Sequence, residues 1–533
     1  MVTTCGEGAL RDDIVRHPKG AGEKLTRAPT SASPALPVFH KVHTKVDFTG
    51  TCDASHYVSS KPLRFPRPPA MLLERIYDEG LAQAAYLIGC EETKTAIIVD
   101  PGRDVHRFID AARHRKMRIE KVAETHIHAD FVSGARDLAV RTGATLLVSG
   151  EGDADWQYRF DAQRLYDKDS FDVGTLRFQV RHTPGHTPEH ICFLITDTLV
   201  GDLPVGMLTG DFLFVGDVGR PDLLERAAGH VGTMDALARR LFQSIRGTGD
   251  LPAHVQLWPG HGAGSACGKA LGALPSTTLG YERLTNWAFQ TENEALFIKS
   301  VLEDQPEPPK YFARMKMINR DGPAPMPTGS PRELSLEDVE AALRRGDPVV
   351  DVRSTADFAR GHIPGSINLP IGTSFATWAG SLLSPELPIF ILADEHGRVE
   401  RARILLASIG LDRIAGFALR AVREQFAAAA ALQVTPQIDA GTLAELDGRT
   451  IVDVRGIAEW RAGHLPGATH LFLGDLVENS APIPHDTPIA VYCQGGTRSA
   501  IAASLLQAKG FTKIVNVTGG ITAWRGAGLP VEQ

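Results

Sequence analysis

Three features of the 533-residue sequence predict a multidomain protein of the α/β and α+β classes. Strand-like and helix-like periods alternate from Met71 to about Gly322. A Pro-rich stretch, GPAPMPTGSP at 322–331, closes that region as a linker. The remainder is a tandem repeat with an offset of about 100 residues, an ordinary domain length. Length alone suggests about three or four domains. Apolar residues make up 43% and charged residues 22%, as in folded globular proteins. The net charge is −7 and no Lys/Arg block stands out, which argues against nucleic acid or an anionic membrane as partner. No apolar run is long enough to span a bilayer. Cys5, Cys52, Cys90, Cys192, Cys267 and Cys493 lack paired spacing and read as reduced thiols of a cytoplasmic protein. No secretory signal pattern is recognised at the N-terminus.

In chain order, residues 1–70 are rich in Pro, Ser, Thr, Lys and His and read as a disordered extension. Met71 opens the first well-patterned segment, MLLERIYDEGLAQAAYLIG. TAIIVDPG is a buried strand ending in a turn, HRFIDAARHR has a helical period, and ATLLVSG is another strand. The domain boundaries that follow are 71–322, 332–430 and 438–533, with QVTPQ at 433–437 as the last connection.

The first domain carries a set of metal-ligand candidates. In THIHADFVSG, His126, His128 and Asp130 alternate, so in an extended chain they face one pocket. HTPGHTPEH adds His182, His186 and His190; LTGDFLFVGDVGRPDL adds Asp211 and Asp217; WPGHGAGSACG adds His261. The ordered motifs H-x-H-x-D, H-T-P-G-H, T-G-D and P-G-H resemble the metallo-β-lactamase fold, which implies an αββα sandwich over this domain. Two-metal members place a histidine after the Asp; here Phe131 stands there and cannot bind a metal. Within that superfamily the chain looks like the persulfide dioxygenases, also called sulfur dioxygenases, in the form fused to rhodanese domains. PGHGAGSACGK and TLGYERLTNWA are similar to that form. The resemblance implies one Fe(II) held by His126, His186 and Asp211, a facial set with positions open to substrate and O2. His128, Asp130 and His261 would orient those ligands. His182 and His190 read as structural, Asp217 as a loop-stabilising acid and Cys267 as packing. Arg220, in GRPD, is either a clamp for a substrate carboxylate or a partner in a surface salt bridge.

The repeat begins at VVDVRSTADFARGHIPGSINLP and returns as IVDVRGIAEWRAGHLPGATHLF. In the second copy, CQGGTRSA lies between an apolar strand and a helix. Cys493 should then sit under converging backbone N–H groups and the positive end of the helix dipole, both of which favour a thiolate. Gln494, Gly495, Gly496 and Thr497 form the loop that receives the sulfur's cargo, and Arg498 fixes it. The pattern C-x-x-G-x-R-S resembles a rhodanese, and its short Cys-to-Arg spacing favours sulfur over phosphate. In the first copy the aligned position is Ala393, followed by Asp394 and Glu395, so that domain is expected to be rhodanese-like but inactive.

Taken together, the resemblance implies oxidation of glutathione persulfide, or a related thiol persulfide, with O2 to sulfite. Cys493 would exchange sulfane sulfur with thiosulfate, sulfite or thiols, in sulfide detoxification or sulfur metabolism. A homo-oligomer is left open. Two alternatives stand beside it: a zinc-dependent glyoxalase II-type thioester hydrolase fused to a rhodanese, and a non-enzymatic sulfur-relay module.

Overall fold

Strand β2 (Gln83–Cys90, QAAYLIGC) is buried along its whole length, as a central strand covered on both faces must be. In the computed structural model, which describes residues 71–228, 232–478, 483 and 487–533, it anchors a six-stranded sheet. The sheet runs in chain order through β1 (Met71–Asp78), β2, β3 (Thr95–Val99), β4 (Arg118–Ala123), β5 (Thr145–Ser149) and β6 (Gln163–Leu165). Its first two pairings are antiparallel, and those from β3 onward are parallel. Parallel neighbours need crossovers, and helices His106–His114 and Ala135–Thr142 supply them. The expectation of disorder over residues 1–70 lies outside the described residues.

A second six-stranded sheet holds β7 (Ser170–Val173), β8 (Leu176–His182), β9 (Ile191–Asp197), β10 (Gly206–Gly210), β11 (Gln256–Pro259) and β12 (Thr277–Thr278). Side-chain alternation decides how the sheets stack. Ala84, Tyr86 and Ile88 of β2 meet Phe178, Phe193 and Trp258 between the sheets. Ala85 and Leu87 point the other way, onto Phe108 and Leu138 of the outer helices. Leu241 and Phe297, from helices Met234–Arg246 and Glu294–Leu302, cover the far face of the second sheet. The result is the αββα sandwich.

The two repeats are parallel sheets with flanking helices. The middle domain orders β13 (Val349–Asp351), β14 (Ile367–Asn368), β15 (Ile389–Leu392) and β16 (Ile414–Ala418) as β14-β13-β15-β16. The last domain holds β17 (Gln437–Ile438), β18 (Thr450–Asp453), β19 (Thr469–His470), β20 (Ile489–Tyr492) and β21 (Ile514–Val517) as β17-β21-β20-β18-β19. The repeated Asp-Val-Arg triplet does the same work in both. Arg353 grips Asp351 at 2.6 Å and donates to the Gly361 carbonyl; Arg455 grips Asp453 at 2.6 Å and donates to the Gly463 carbonyl.

One apolar cluster runs through all three domains, joining Tyr311, Phe312 and Met315 to Val350 and Phe375 and on to Val452, Val491 and Ile501. Polar ties reinforce it. Arg103 forks onto Asp412 at 2.6 and 2.8 Å, and the Asn368 N–H donates to Ser504 Oγ at 2.9 Å. No helix among the described residues is long and apolar enough to cross a membrane.

Candidate metal centre and sulfur-transfer loop

His126, His186 and Asp211 come from three loops that follow β4, β8 and β10, and their ligand atoms lie within 4.8 Å of one another. Asp211 Oδ2 is 3.9 Å from His126 Nε2 and 3.4 Å from His186 Nε2. All three residues are buried, and Asp211 Oδ2 has no hydrogen-bond partner. An orphaned carboxylate oxygen between two imidazole nitrogens is costly unless a cation takes it. The donor set therefore fits a metal ion, and two imidazoles with one carboxylate suit either iron or zinc.

The ring orientations follow from partners behind each ligand. Thr125 Oγ1 spends its proton on Asp100 Oδ2 at 2.9 Å, so it accepts from His126 Nδ1–H at 2.9 Å and leaves Nε2 bare toward Asp211. His186 Nδ1–H donates to the Arg220 carbonyl at 3.1 Å, with the same effect on its Nε2. Burial, together with the neighbouring His128, holds His126 well below the usual imidazole range, and burial lowers His186 as well. Both rings are thus neutral, as ligands must be. Burial raises the Asp211 carboxyl, but the charge and hydrogen bond of His261 overcome that and hold it well below its usual range.

His261 bridges two carboxylates, donating from Nδ1 to Asp211 Oδ1 at 2.7 Å and from Nε2 to Asp130 Oδ2 at 2.9 Å. Burial works against its charge, yet these acids push its pKa well up. The glycine of P-G-H is required by proximity: a Cβ at Gly260 would lie 2.8 Å from Asp211 Oδ1. His128 donates to Asp100 at 3.1 Å, and its ring lies 4.1 Å from the His126 ring and 4.4 Å from that of Phe131. Phe131, at the sequence position where two-metal members carry a histidine, is fully buried against His128. A second group, Asp130, His261 and Cys267, also converges within 4.8 Å. Burial and the neighbouring Asp130 and Asp211 push the Cys267 thiol well up. His190 accepts the Asp211 N–H at 3.0 Å, and His182 bonds the Pro188 carbonyl. Asp217 holds its loop through Lys269 N–H, Ala270 N–H and Trp287 Nε1–H.

Arg220 requires a correction. It is fully buried, and its guanidinium closes on Asp222 through two 2.7 Å bonds and on the Ala266 carbonyl. A fork already filled by a carboxylate two residues away cannot clamp a substrate's. Its part in the site is the backbone carbonyl that orients His186. Asp100, Thr125 and Glu189 were missed from the sequence. Asp100 sits in IVDPG, where an acid closing a buried strand was the available signal.

Glu189 is fully buried and accepts the Ile127 N–H at 2.7 Å. Burial nonetheless pushes its carboxyl from 4.5 up to about 7. The folded chain then keeps a proton that the unfolded chain releases near 4.5. Its contribution to stability is complete below that pH and is lost as pH rises to about 7, at about 1 kcal/mol per pH unit. Urea unfolding at pH values between these limits should show a shallower slope in Glu189→Gln than in the native chain, with Glu124, which burial also raises to about 7, keeping its own share.

The loop that carries Cys493 joins β20 to helix Thr497–Ala508. Cys493 is buried; Gly496 N–H donates to its Sγ at 3.1 Å and Ser499 Oγ–H lies at 3.5 Å. Gly496 has φ +105°, a conformation side chains rarely adopt, and in it its N–H reaches the sulfur. Gln494, Gly495 and Thr497 are exposed on the loop. Arg498 is held by Glu459 through bonds of 2.6 and 2.7 Å. In the middle domain Ala393 is buried, no thiol is present, and Asp394 pairs with Arg423 at 3.0 Å. The four described cysteines are free thiols.

Comparison with known proteins agrees with this architecture. The Metallo-beta-lactamase superfamily matches residues 78–261, and the Rhodanese-like domain matches residues 335–418 and 439–527. A metallo-beta-lactamase structure from Staphylococcus aureus subsp. aureus COL is 43% identical, covering 66% of this chain and 99% of that one, with a TM-score of 0.62. The mitochondrial persulfide dioxygenase ETHE1 of Bos taurus is 25% identical over 36% of this chain and 68% of its own length. A probable polyketide biosynthesis zinc-dependent hydrolase, BaeB of Bacillus velezensis, is also 25% identical, over 42% of this chain and 94% of its own length. The chain belongs to the metallo-beta-lactamase superfamily, its metal domain followed by two rhodanese-like domains.

Proposed function

We propose that the protein oxidises a low-molecular-weight thiol persulfide with O2 and water to thiol and sulfite, and exchanges sulfane sulfur at Cys493. One observation carries this reading: a three-ligand cluster, in a domain with Phe131 where two-metal members carry a histidine, shares a chain with a cysteine whose Sγ accepts the Gly496 N–H. The similarity to a persulfide dioxygenase supports it. His126, His186 and Asp211 would hold a ferrous ion, which supplies the redox capacity that lets O2 react with a persulfide. The chain's own contribution is orientation. Thr125 and the Arg220 carbonyl fix the two imidazoles, and His261 fixes the carboxylate. At the other site, the thiolate of Cys493 would accept a sulfane sulfur, with Gly496 N–H steadying the charge.

A second reading, a zinc-dependent hydrolase, is favoured by the convergence of Asp130, His261 and Cys267 and by the similarity to BaeB. Anaerobic purification with elemental analysis, then an oxygen-electrode trace on glutathione persulfide, separates the two. About one iron per chain and oxygen uptake matched by sulfite are expected. Zinc with no uptake would replace the dioxygenase with the hydrolase.

A further inference from the structure

Helix Phe312–Asp321 buries Phe312, Met315, Lys316 and Asn319, which are the i, i+3, i+4 and i+7 positions of one helical face. Phe312 and Met315 join the apolar cluster, and Lys316 lays its ammonium on the Trp156 ring at 3.6 Å. Asn319 is the residue that an apolar stripe does not call for, and it is only 1% exposed. A primary amide on a buried face is costly unless its two hydrogens and its oxygen find partners. Asn319 finds all three in one stretch of backbone. Its Nδ2 donates to the His128 carbonyl at 2.7 Å and to the Phe131 carbonyl at 2.7 Å, and its Oδ1 accepts the Ser133 N–H at 2.9 Å.

The stretch so gripped bears on two of the three ligands. His126 enters the trio from the same loop, just ahead of the Ile127 N–H that Glu189 accepts. Asp130 lies inside the grip and receives His261 Nε2–H, while His261 Nδ1–H holds Asp211. The Tyr311 hydroxyl, from the residue before the helix, adds a bond to the Asp130 carbonyl at 3.0 Å. The middle domain fixes both partners in place. Arg314 of the helix donates to the Ile409 carbonyl at 2.8 Å, and the Val132 N–H of the loop donates to the Ser408 carbonyl at 2.7 Å. Helix and loop therefore abut the same end of helix His396–Ser408. Tyr311, Arg314 and Asn319 all lie beyond residues 78–261, the span that matches the superfamily.

We propose that Asn319 is a positioning residue for the metal centre. By fixing the backbone from His128 to Ser133 it sets His126 directly, and Asp211 through Asp130 and His261. It touches neither an ion nor a substrate. This role rests on the reading of His126, His186 and Asp211 as metal ligands and is independent of which reaction the ion serves.

Titration of the metal-free full chain with Co(II), followed by the visible ligand-field bands, reads ligand geometry apart from activity. The native chain should bind Co(II) and show these bands. Asn319→Leu, which lacks hydrogen-bonding atoms, should weaken binding about tenfold or more and shift the bands. Asn319→Ser, which adds no bulk, should move both in the same direction and serves where the leucine variant does not fold. Gln507→Leu is the matched control. It removes a buried amide from helix Thr497–Ala508, where Nε2 donates to the Val434 carbonyl and Oε1 accepts from Thr435. It should lower the melting temperature as well, yet keep the native bands and affinity. Native bands and affinity in a folded Asn319 variant overturn the role, as does an equal loss of Co(II) affinity in Gln507→Leu, which would signify general loosening. No Co(II) binding by the native chain overturns the ligand set and the role with it. Binding that the Asn319 variants weaken, in a protein that takes up no oxygen with glutathione persulfide, upholds the role and removes the dioxygenase reading instead.

Discussion

Asp211→Ala is expected to empty the metal domain while sulfur transfer at Cys493 continues. Asp211 contributes the one carboxylate of the trio, and its Oδ2 is the buried atom left without any other partner. Removing it leaves two neutral imidazoles, too few to retain an ion. It also leaves His261 with a single acid, Asp130, to balance its charge. Loss of a residue that merely orients a ligand costs roughly 10–100-fold in affinity or activity, so loss of a ligand should exceed about 100-fold in oxygen uptake. Elemental analysis should find the ion gone. Thiosulfate-dependent transfer should stay within about twofold of native, because the loop at Cys493 draws its partners from Gly496 and Ser499 of its own domain. Retained iron would strike Asp211 from the ligand set.

Cys493→Ser should give the converse. A hydroxyl cannot carry sulfane sulfur, so thiosulfate-dependent transfer should fall by about a thousandfold or more. The fold should survive, since a serine oxygen can accept the Gly496 N–H that now reaches Sγ. Oxygen uptake on glutathione persulfide supplied from solution should persist, and iron content should not change. Loss of both activities in this one variant would contradict two separate reaction centres.

How far these residues were legible in the sequence depends on the distance over which each is determined. The trio could be read because each ligand sits in a short motif. Alternation in H-x-H-x-D did not sort the ligands, since only His126 joins the trio while His128 turns to Asp100 and Asp130 to His261; the resemblance of the motifs did. The loop at Cys493 was legible for the same reason. What stayed hidden were contacts between segments far apart in the chain. Asp100 meets Thr125 and His128 across 25 and 28 positions, and Glu189 reaches Ile127 across 62. Periodicity says which way a side chain points and not which donor it will meet. Arg220 is the instructive case. Its partner Asp222 is two residues away, the same separation as Asp351 to Arg353 and Asp453 to Arg455. A buried acid–guanidinium pair at that spacing was available to reading, and it decides the arginine's orientation before any substrate can.

The apolar cluster that threads all three domains has a consequence for the middle repeat's persistence. The middle domain has Ala393 where the last domain has Cys493. Its inward faces remain committed, since Val350, Phe375 and Leu406 share one interior with Tyr311 on one side and Val491 on the other. Such a domain is kept as a keystone is kept, free to drift in its loops and unable to be lifted out, because excision would bare oily surfaces on both neighbours at once.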